Sequence, residues 1–517
     1  MGQLSAIDLA AMGLYILGML FIGVICNRKT HVTEDYFLAG RSMTWFPVSI
    51  SVMMTLISTI SFLSTPSNTF RVGLVAVSGV FSVIFVIPVT VKLYAPFFSR
   101  LQITSAYEYL ERRYHIGIRV LGAVLFVLLR IAWMAMAIHA ASLAVTHLVF
   151  PQATAVETAR ILMITIVGLG LFATAYTVLG GMRAVIWTDV AQFFVLFGGI
   201  VLTIVLGIKN TPGGVSAIWE VARETGHTQF FDFSLDLQKE FTFFGVLISS
   251  ISWYWVYYCS DQLVIQRYLS TRSVLEAKRT MLADGVGQMF VTIALGATGL
   301  VLFGLFQGRP ELFQGVEQAD EIFPHFIGTM LPTGIRGLVV AALYAAVMSS
   351  VDSGINSICA VLTVDGYRRF VRPKGSPAAE LRLARWATVF SGISVILLSL
   401  FVVGETGKYL IERQFRFAGY LAAPLFGMFA AGIFSSRSNT GGILLGGGLA
   451  LILGLLIAFP PPNFPSISLF WLVPLTSAVA LIASLSFSYC FPPPSNRKTV
   501  GLTYRSLVLN GEEGERK

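Results

Sequence analysis

Apolar runs about 20 residues long recur from one end of this 517-residue chain to the other, and that recurrence limits the fold more than any single motif does. As a helix, such a run spans the hydrocarbon core of a bilayer. Within lipid every backbone N–H and C=O must find a partner inside the protein, so only helices and closed barrels cross. These runs are continuous and do not alternate, which predicts an all-α polytopic membrane protein. About thirteen spans are expected, near residues 7–27, 44–64, 74–93, 120–149, 161–179, 184–208, 241–258, 285–306, 337–364, 386–403, 417–434, 441–459 and 467–491. Composition agrees: only 12% of the residues are charged, against about a quarter in soluble chains.

The formal charge of +9 is a matter of orientation, not of nucleic-acid binding. Lys and Arg collect in alternate loops, as the cytoplasmic loops of membrane proteins require. Arg28, Lys29 and Arg41 follow the first span, Arg100, Arg112 and Arg113 the third, and Arg183 the fifth. Arg267, Arg272, Lys278 and Arg279 follow the seventh, and Arg368, Arg369, Arg372, Lys374, Arg382 and Arg385 the ninth. Arg437 follows the eleventh span and Arg497 and Lys498 the last. An intervening loop is balanced by Glu311, Glu317, Asp320 and Glu321. The pattern places the N-terminus outside and the C-terminus inside, in a cell membrane. Cys26, Cys259, Cys359 and Cys490 are scattered without CxxC or metal-ligand spacing, which suits packing residues. The first span lacks a basic leader and a cleavage site and is expected to be retained. Loops 209–240 and 307–336 have room for short surface helices but not for a catalytic domain. The tail after Pro494 is polar and is expected to be disordered. No nucleophile–base pair or metal cluster is evident, so an enzyme is not expected.

Polar residues inside the apolar runs mark the working parts. In the ninth span Ala346, Ser349, Ser350, Ser353, Asn356 and Ser357 share one helical face beside Asp352. Such groups are costly in hydrocarbon unless they pair or line a cavity. In the second span hydroxyls crowd Ser58, Thr59, Ser61, Ser64 and Thr65 ahead of Pro66. This is either a helix broken within the membrane or a Ser/Thr-rich packing face. The seventh span ends in Trp253, Tyr254, Trp255, Tyr257 and Tyr258, either an interfacial belt or the lining of a path. Asp189 is either a functional carboxylate or the partner of Arg183, and Asp352 either a cation ligand or the partner of a base. Arg130 and His139 in the fourth span either meet a substrate carboxylate or pair internally.

At several of these places the chain resembles the sodium:solute symporter family. The likeness is carried by the residues from Glu34 to Arg41, Ser105 to Arg113, Gly180 to Asp189 and Asp261 to Leu269, and by the polar stripe of the ninth span, in that order. The resemblance implies a five-plus-five inverted-repeat core of the leucine-transporter type, with the second and seventh spans discontinuous. Residues 1–42 would hold an extra helix and the first cytoplasmic loop. Residues 43–208 and 209–434 would form the two halves, 435–494 two C-terminal helices and 495–517 a cytoplasmic tail.

The resemblance further implies a sodium-coupled symporter importing a small organic solute by alternating access. The sodium ion would be held by carbonyls of Met54, Ile57 and Ala346 and hydroxyls of Ser349 and Ser350. A second cation site would involve Asp189, Ser349, Asp352 and Ser353, with Asp352 standing where such family members have a serine. Ser58, Ser61, Thr65 and Tyr254 would face the substrate, with Tyr257 as a gate. The stretch from Ser58 to Pro66 is more similar to the sialic acid and monocarboxylate branch than to the sugar branch, which points to an organic anion. A sugar symporter and a proton-coupled carrier of the same fold are the alternatives. Sodium is the expected ion, with no organic cofactor. The expected partners are a small-molecule substrate and the lipid bilayer, without nucleic acid, and a monomer is expected.

Overall fold

The computed structural model describes residues 4–27, 32–150, 154–314, 316, 318–371, 376–401, 412 and 414–509. Arg28, Lys29, Arg372, Lys374 and Glu317 lie outside the described residues. The described chain is helical throughout apart from loops and one isolated parallel bridge between Met43 and Thr271.

Nineteen helices suffice to follow the path. They begin with α1 (Ala6–Asn27), α2 (Thr33–Leu38), α3 (Trp45–Leu56), α4 (Thr59–Val72), α5 (Ser82–Val89), α6 (Ala95–Leu101) and α7 (Ala106–Arg113). Next come α8 (Ile116–Val149), α9 (Ala155–Asn210), α10 (Gly214–Glu224), α11 (Phe243–Ser260), α12 (Gln262–Leu269) and α13 (Val274–Gly308). The last are α14 (Ala319–Met330), α15 (Ile335–Val361), α16 (Pro377–Phe401), α17 (Tyr420–Phe434), α18 (Thr440–Ala458) and α19 (Leu472–Phe487). Among the described residues ten helical segments are long and apolar enough to cross a membrane, against about thirteen expected. The difference lies in α3, α11 and α17. The first two are parts of interrupted segments, and the last has only 15 regular residues.

The polar stripe has its explanation in position. Nearly all of α15 is buried, packed against α1, α3, α4, α8, α9 and α16. The outer helices instead expose Leu14, Leu17 and Phe21 of α1 and Trp386, Phe390 and Phe401 of α16. In water such faces would demand a partner; in a bilayer they face lipid. Helix α9 bends at Gly181, whose φ of +58° suits glycine. A Cβ there would lie 2.7 Å from the Tyr36 carbonyl oxygen, so the glycine also lets α2 approach.

The tail departs from expectation. Tyr109 donates to the Leu502 carbonyl at 3.1 Å, Arg100 to Val508 at 3.3 Å, and Lys498 to the Glu111 carbonyl at 3.1 Å. Val508 is buried. Residues up to 509 are therefore docked, because a few apolar side chains find a seat and neighbouring donors satisfy the backbone; residues 510–517 lie outside the described residues.

Candidate cation and substrate site

Two neighbouring breaks organise the centre. The first separates α3 from α4 at Ile57 (φ −84°, ψ 97°) and Ser58 (φ −90°, ψ 168°). Ser58 then caps α4, its Oγ accepting from the Ser61 amide at 3.4 Å, and a hydroxyl at this position satisfies a donor that the helix itself cannot. Pro66 does not make the break: it sits inside α4, eight residues past the cap. The second break falls at Asp261 (φ −92°, ψ 118°) between α11 and α12, where the Asp261 carboxylate caps α12 by accepting from the Leu263 amide at 3.0 Å. Both segments expected to be discontinuous are therefore discontinuous.

The first break meets the polar stripe of α15. Ser349 Oγ donates to the Met54 carbonyl at 3.1 Å and lies 3.1 Å from the Ala346 carbonyl, which Ser350 Oγ approaches at 3.2 Å. Four of the five expected sodium ligands thus converge through hydrogen bonds, and the fifth, Ile57, forms the break itself. These are neutral oxygens, the donor type that suits a hard monovalent cation without trapping it.

The residues expected to form a second cation site are differently engaged. Asp189, Arg267, Ser353 and Asp352 are all buried. Asp189 Oδ2 accepts from Ser51 Oγ at 2.5 Å and from Arg267 at 3.3 Å. Arg267 also donates to Ser51 Oγ at 2.8 Å and to Ser353 Oγ. Asp352 accepts from the Tyr176 hydroxyl at 2.7 Å and from Ser353 at 3.2 Å. A guanidinium therefore stands between Asp189 and Ser353. Arg183 is not the partner of Asp189: it donates to the Ala39 carbonyl and to Ser42 Oγ. Further along the stripe, Asn356 accepts from Gln266 at 3.0 Å. Arg267 lay unsuspected because its chemistry depends on contacts 78 and 86 residues away.

At the second break Arg130 of α8 pairs with Asp261, both nearly dry at 3% and 2% exposure. The guanidinium lies 5.3 Å from the Tyr257 ring and 5.9 Å from Trp133, and its Nε finds no partner. Tyr257 stacks on Trp253 at 5.4 Å, and Tyr254 on Tyr258 at 6.0 Å. Trp253, Tyr257 and Tyr258 are buried, so this run packs within the bundle and is not an interfacial belt. Ser61 and Thr65 are half-buried on α4, and His139 is buried on α8.

Paired broken helices facing one another inside an apolar bundle define a secondary transporter. The comparisons carry this to a family. A model of the sodium:solute symporter family matches residues 36–450, and the chain belongs to that family. It is 30% identical over 436 residues to the sodium/sialic acid symporter SiaT of Proteus mirabilis, covering 84% of this chain and 85% of that protein. It is likewise 30% identical over 444 residues to human sodium-coupled monocarboxylate transporter 1, covering 84% of this chain and 69% of that one. A solved substrate-bound, outward-open Na+-coupled sialic acid symporter superposes with a TM-score of 0.86 at 28% identity, covering 95% of this chain and 99% of that one. MhsT, solved in complex with L-phenylalanine, shares the fold with a TM-score of 0.53 at 14% identity, covering 87% of this chain and 99% of that one. The protein is a sodium:solute symporter with the leucine-transporter architecture.

Proposed function

We propose that one sodium ion binds at the first break, to the carbonyls of Met54, Ile57 and Ala346 and the hydroxyls of Ser349 and Ser350, and that an organic anion binds beside the second. The observation that carries the cation site is the Ser349 hydroxyl, which touches oxygens on both sides of the α3–α15 seam. A sodium ion there would draw the broken helix onto α15 and so complete the pocket of Ser58, Ser61, Thr65 and Tyr254. The anion reading is supported by Arg130, a buried guanidinium at the pocket wall, and by the relatives that carry sialic acid and monocarboxylates. Tyr257, lying over Arg130, would close the pocket as its gate. A cation at Asp189, Ser349, Asp352 and Ser353 would require Arg267 to leave Ser353, so that set is open only after α12 moves.

The face that gathers Arg41, Arg272 and Arg368 would be cytoplasmic, with the N-terminus outside and the C-terminus inside. The repeat halves would be 43–208 and 209–434. Substrate charge then sets the driving force. One sodium ion with a monovalent anion moves no net charge, and a tenfold sodium gradient supports about tenfold accumulation, or about 1.4 kcal/mol. A neutral substrate would add about 2.3 kcal/mol for each 100 mV.

The test is uptake into proteoliposomes of labelled sialic acid, pyruvate, glucose, galactose, proline and myo-inositol, with an inward sodium gradient or with potassium in its place. Sodium-dependent uptake of an acid, reduced in Ser350→Ala unless the sodium concentration is raised, is expected. Equal uptake in potassium would overturn the sodium site, and uptake of glucose or galactose alone would overturn the anion.

A further inference from the structure

Asp284 lies on α13, which starts at the basic face beside exposed Arg272 and Arg279. It is ten residues into that helix, or about 15 Å at 1.5 Å per residue, and fully buried. One carboxylate oxygen accepts from the Tyr258 hydroxyl, and the neutral Gln288 amide is its other polar neighbour. None of the described basic side chains forms an ion pair with it. Asp261 and Asp189 differ in this respect, having Arg130 and Arg267, whereas the buried Asp352 likewise accepts only from hydroxyls, those of Tyr176 and Ser353.

The surroundings close the pocket around Asp284. From α11 it faces Tyr258, on which Tyr254 stacks. On α13 itself Gln288 follows one turn later and donates to the Met53 carbonyl at 3.3 Å, next to the sodium ligand Met54. Gly287 admits the Met53 sulfur of α3 and Gly285 admits Ile87 of α5, which brings two apolar side chains close to this stretch of α13. From α12 Tyr268 donates to the Tyr258 carbonyl at 2.9 Å. Tyr268 also lines the inner wall of a cleft of about 630 Å³ at the basic face, together with Arg41, Arg272 and Arg368.

A lone charge in such a place costs several kcal/mol unless something positive joins it. Its hydrogen-bonding neighbours are neutral, the Tyr258 phenol and the Gln288 amide, a poor set for a metal ion that takes six or more ligands. A proton needs only one. We propose that Asp284 is a proton-binding site of the transport cycle. The carboxyl holds a proton while α11 keeps Tyr258 against it. When α11 and α12 swing apart, the proton passes to water in the cleft at Tyr268, and the carboxylate is left hydrated until the site closes and a proton returns. This goes beyond the sodium reading and stands without it.

Two measurements on the full-length protein test the proposal. Infrared spectra at neutral pH should show a protonated-carboxyl band that loses intensity in Asp284→Asn, whose amide copies the neutral acid. In proteoliposomes, wild-type uptake should vary with pH between about 5 and 8, by up to about tenfold per unit, whereas Asp284→Asn should be flat. An unchanged band, or an unchanged pH profile, overturns the proposal. If uptake proves independent of sodium, the infrared difference still decides the question. If Asp284→Asn does not fold, Tyr258→Phe provides the reading. Loss of the phenol should shift the carboxyl band and displace the pH profile, and a superimposable spectrum would count against the site.

Discussion

The two breaks are the same backbone device furnished in opposite ways. At Ile57–Ser58 the chain opens onto neutral oxygens from Met54, Ala346, Ser349 and Ser350. At Asp261 it opens onto an ion pair with Arg130, walled by Trp133, Trp253 and Tyr257. Neutral oxygens have no charge of their own to satisfy, so a cation can come and go. The ion pair is already neutral, so an anion would either compete with Asp261 or take the Arg130 Nε that Asp261 leaves unpaired. The first break is thus suited to sodium and the second to a carboxylate that competes for Arg130.

Asp261→Asn would break this comparison with the largest effect. The amide still caps α12, since Asn is as good a cap as Asp, but Arg130 loses its opposing charge. Removing one partner of a buried pair costs about 3–5 kcal/mol. The variant should therefore unfold at a markedly lower temperature than wild type. An anionic substrate should restore more stability to it than it adds to the parent, because the ligand supplies the missing charge. A variant that melts low and ignores the substrate would make Arg130–Asp261 a purely structural pair.

At the other break, Ser350→Ala removes one neutral oxygen from a cation. A hydrogen bond to a charged group is worth about 1.5–3 kcal/mol. If its loss to the ion is similar, the sodium concentration for half-maximal uptake should rise by roughly ten- to a hundredfold. Substrate affinity at saturating sodium should hardly change. A sodium titration in proteoliposomes reads both. If the anion constant moved and the sodium constant did not, the assignments of the two breaks would be reversed.

Ser58 belongs to the first break, where it caps α4, and the proposed function gives it a second role as a pocket hydroxyl. Ser58→Ala should cost about 0.5–2 kcal/mol of stability and also lower uptake. Ser58→Asn should recover the cap but not the uptake, because the longer amide fills the pocket. Recovery of both would leave Ser58 a cap and nothing more.

How much of this could be read in the sequence depends on how far apart the partners are. The apolar runs and the face shared by Ser349, Ser350 and Ser353 are local patterns of one helix, so both were legible. The resemblance to the family then supplied the partners of the stripe. The position of the first break was not legible from residues alone: Pro66 is the obvious breaker, yet a helix can lose one N–H and continue, as α4 does. Arg267 looked like one more loop charge after the seventh span, whereas α12 carries it back into the bundle between Asp189 and Ser353. Asp284 was hidden for a related reason. It lies just before the expected span of 285–306, where a carboxylate is ordinarily at the interface, and only its burial in the folded bundle shows that it is dry.

The smallest effect concerns a partly exposed charge pair, where water screens what the bundle does not. Glu111 of α7 accepts from Arg369 at 2.7 Å and from Arg119 at 2.7 Å, and it is about a quarter exposed. The Arg369 hydrogen bond holds its carboxyl below the usual value, with Arg119 assisting against partial burial. A carboxyl depressed in the folded state adds stability above its unfolded value and loses it as pH falls through the folded one. Exposed pairs of this kind contribute about 0.2–1 kcal/mol. Glu111→Gln should therefore melt slightly below wild type near neutral pH, and the two curves should meet as the buffer is taken below about pH 4. A gap that persists in acid would show that Glu111 acts through packing and not through charge, unlike the ion pair at the second break, whose partners have almost no water to screen them.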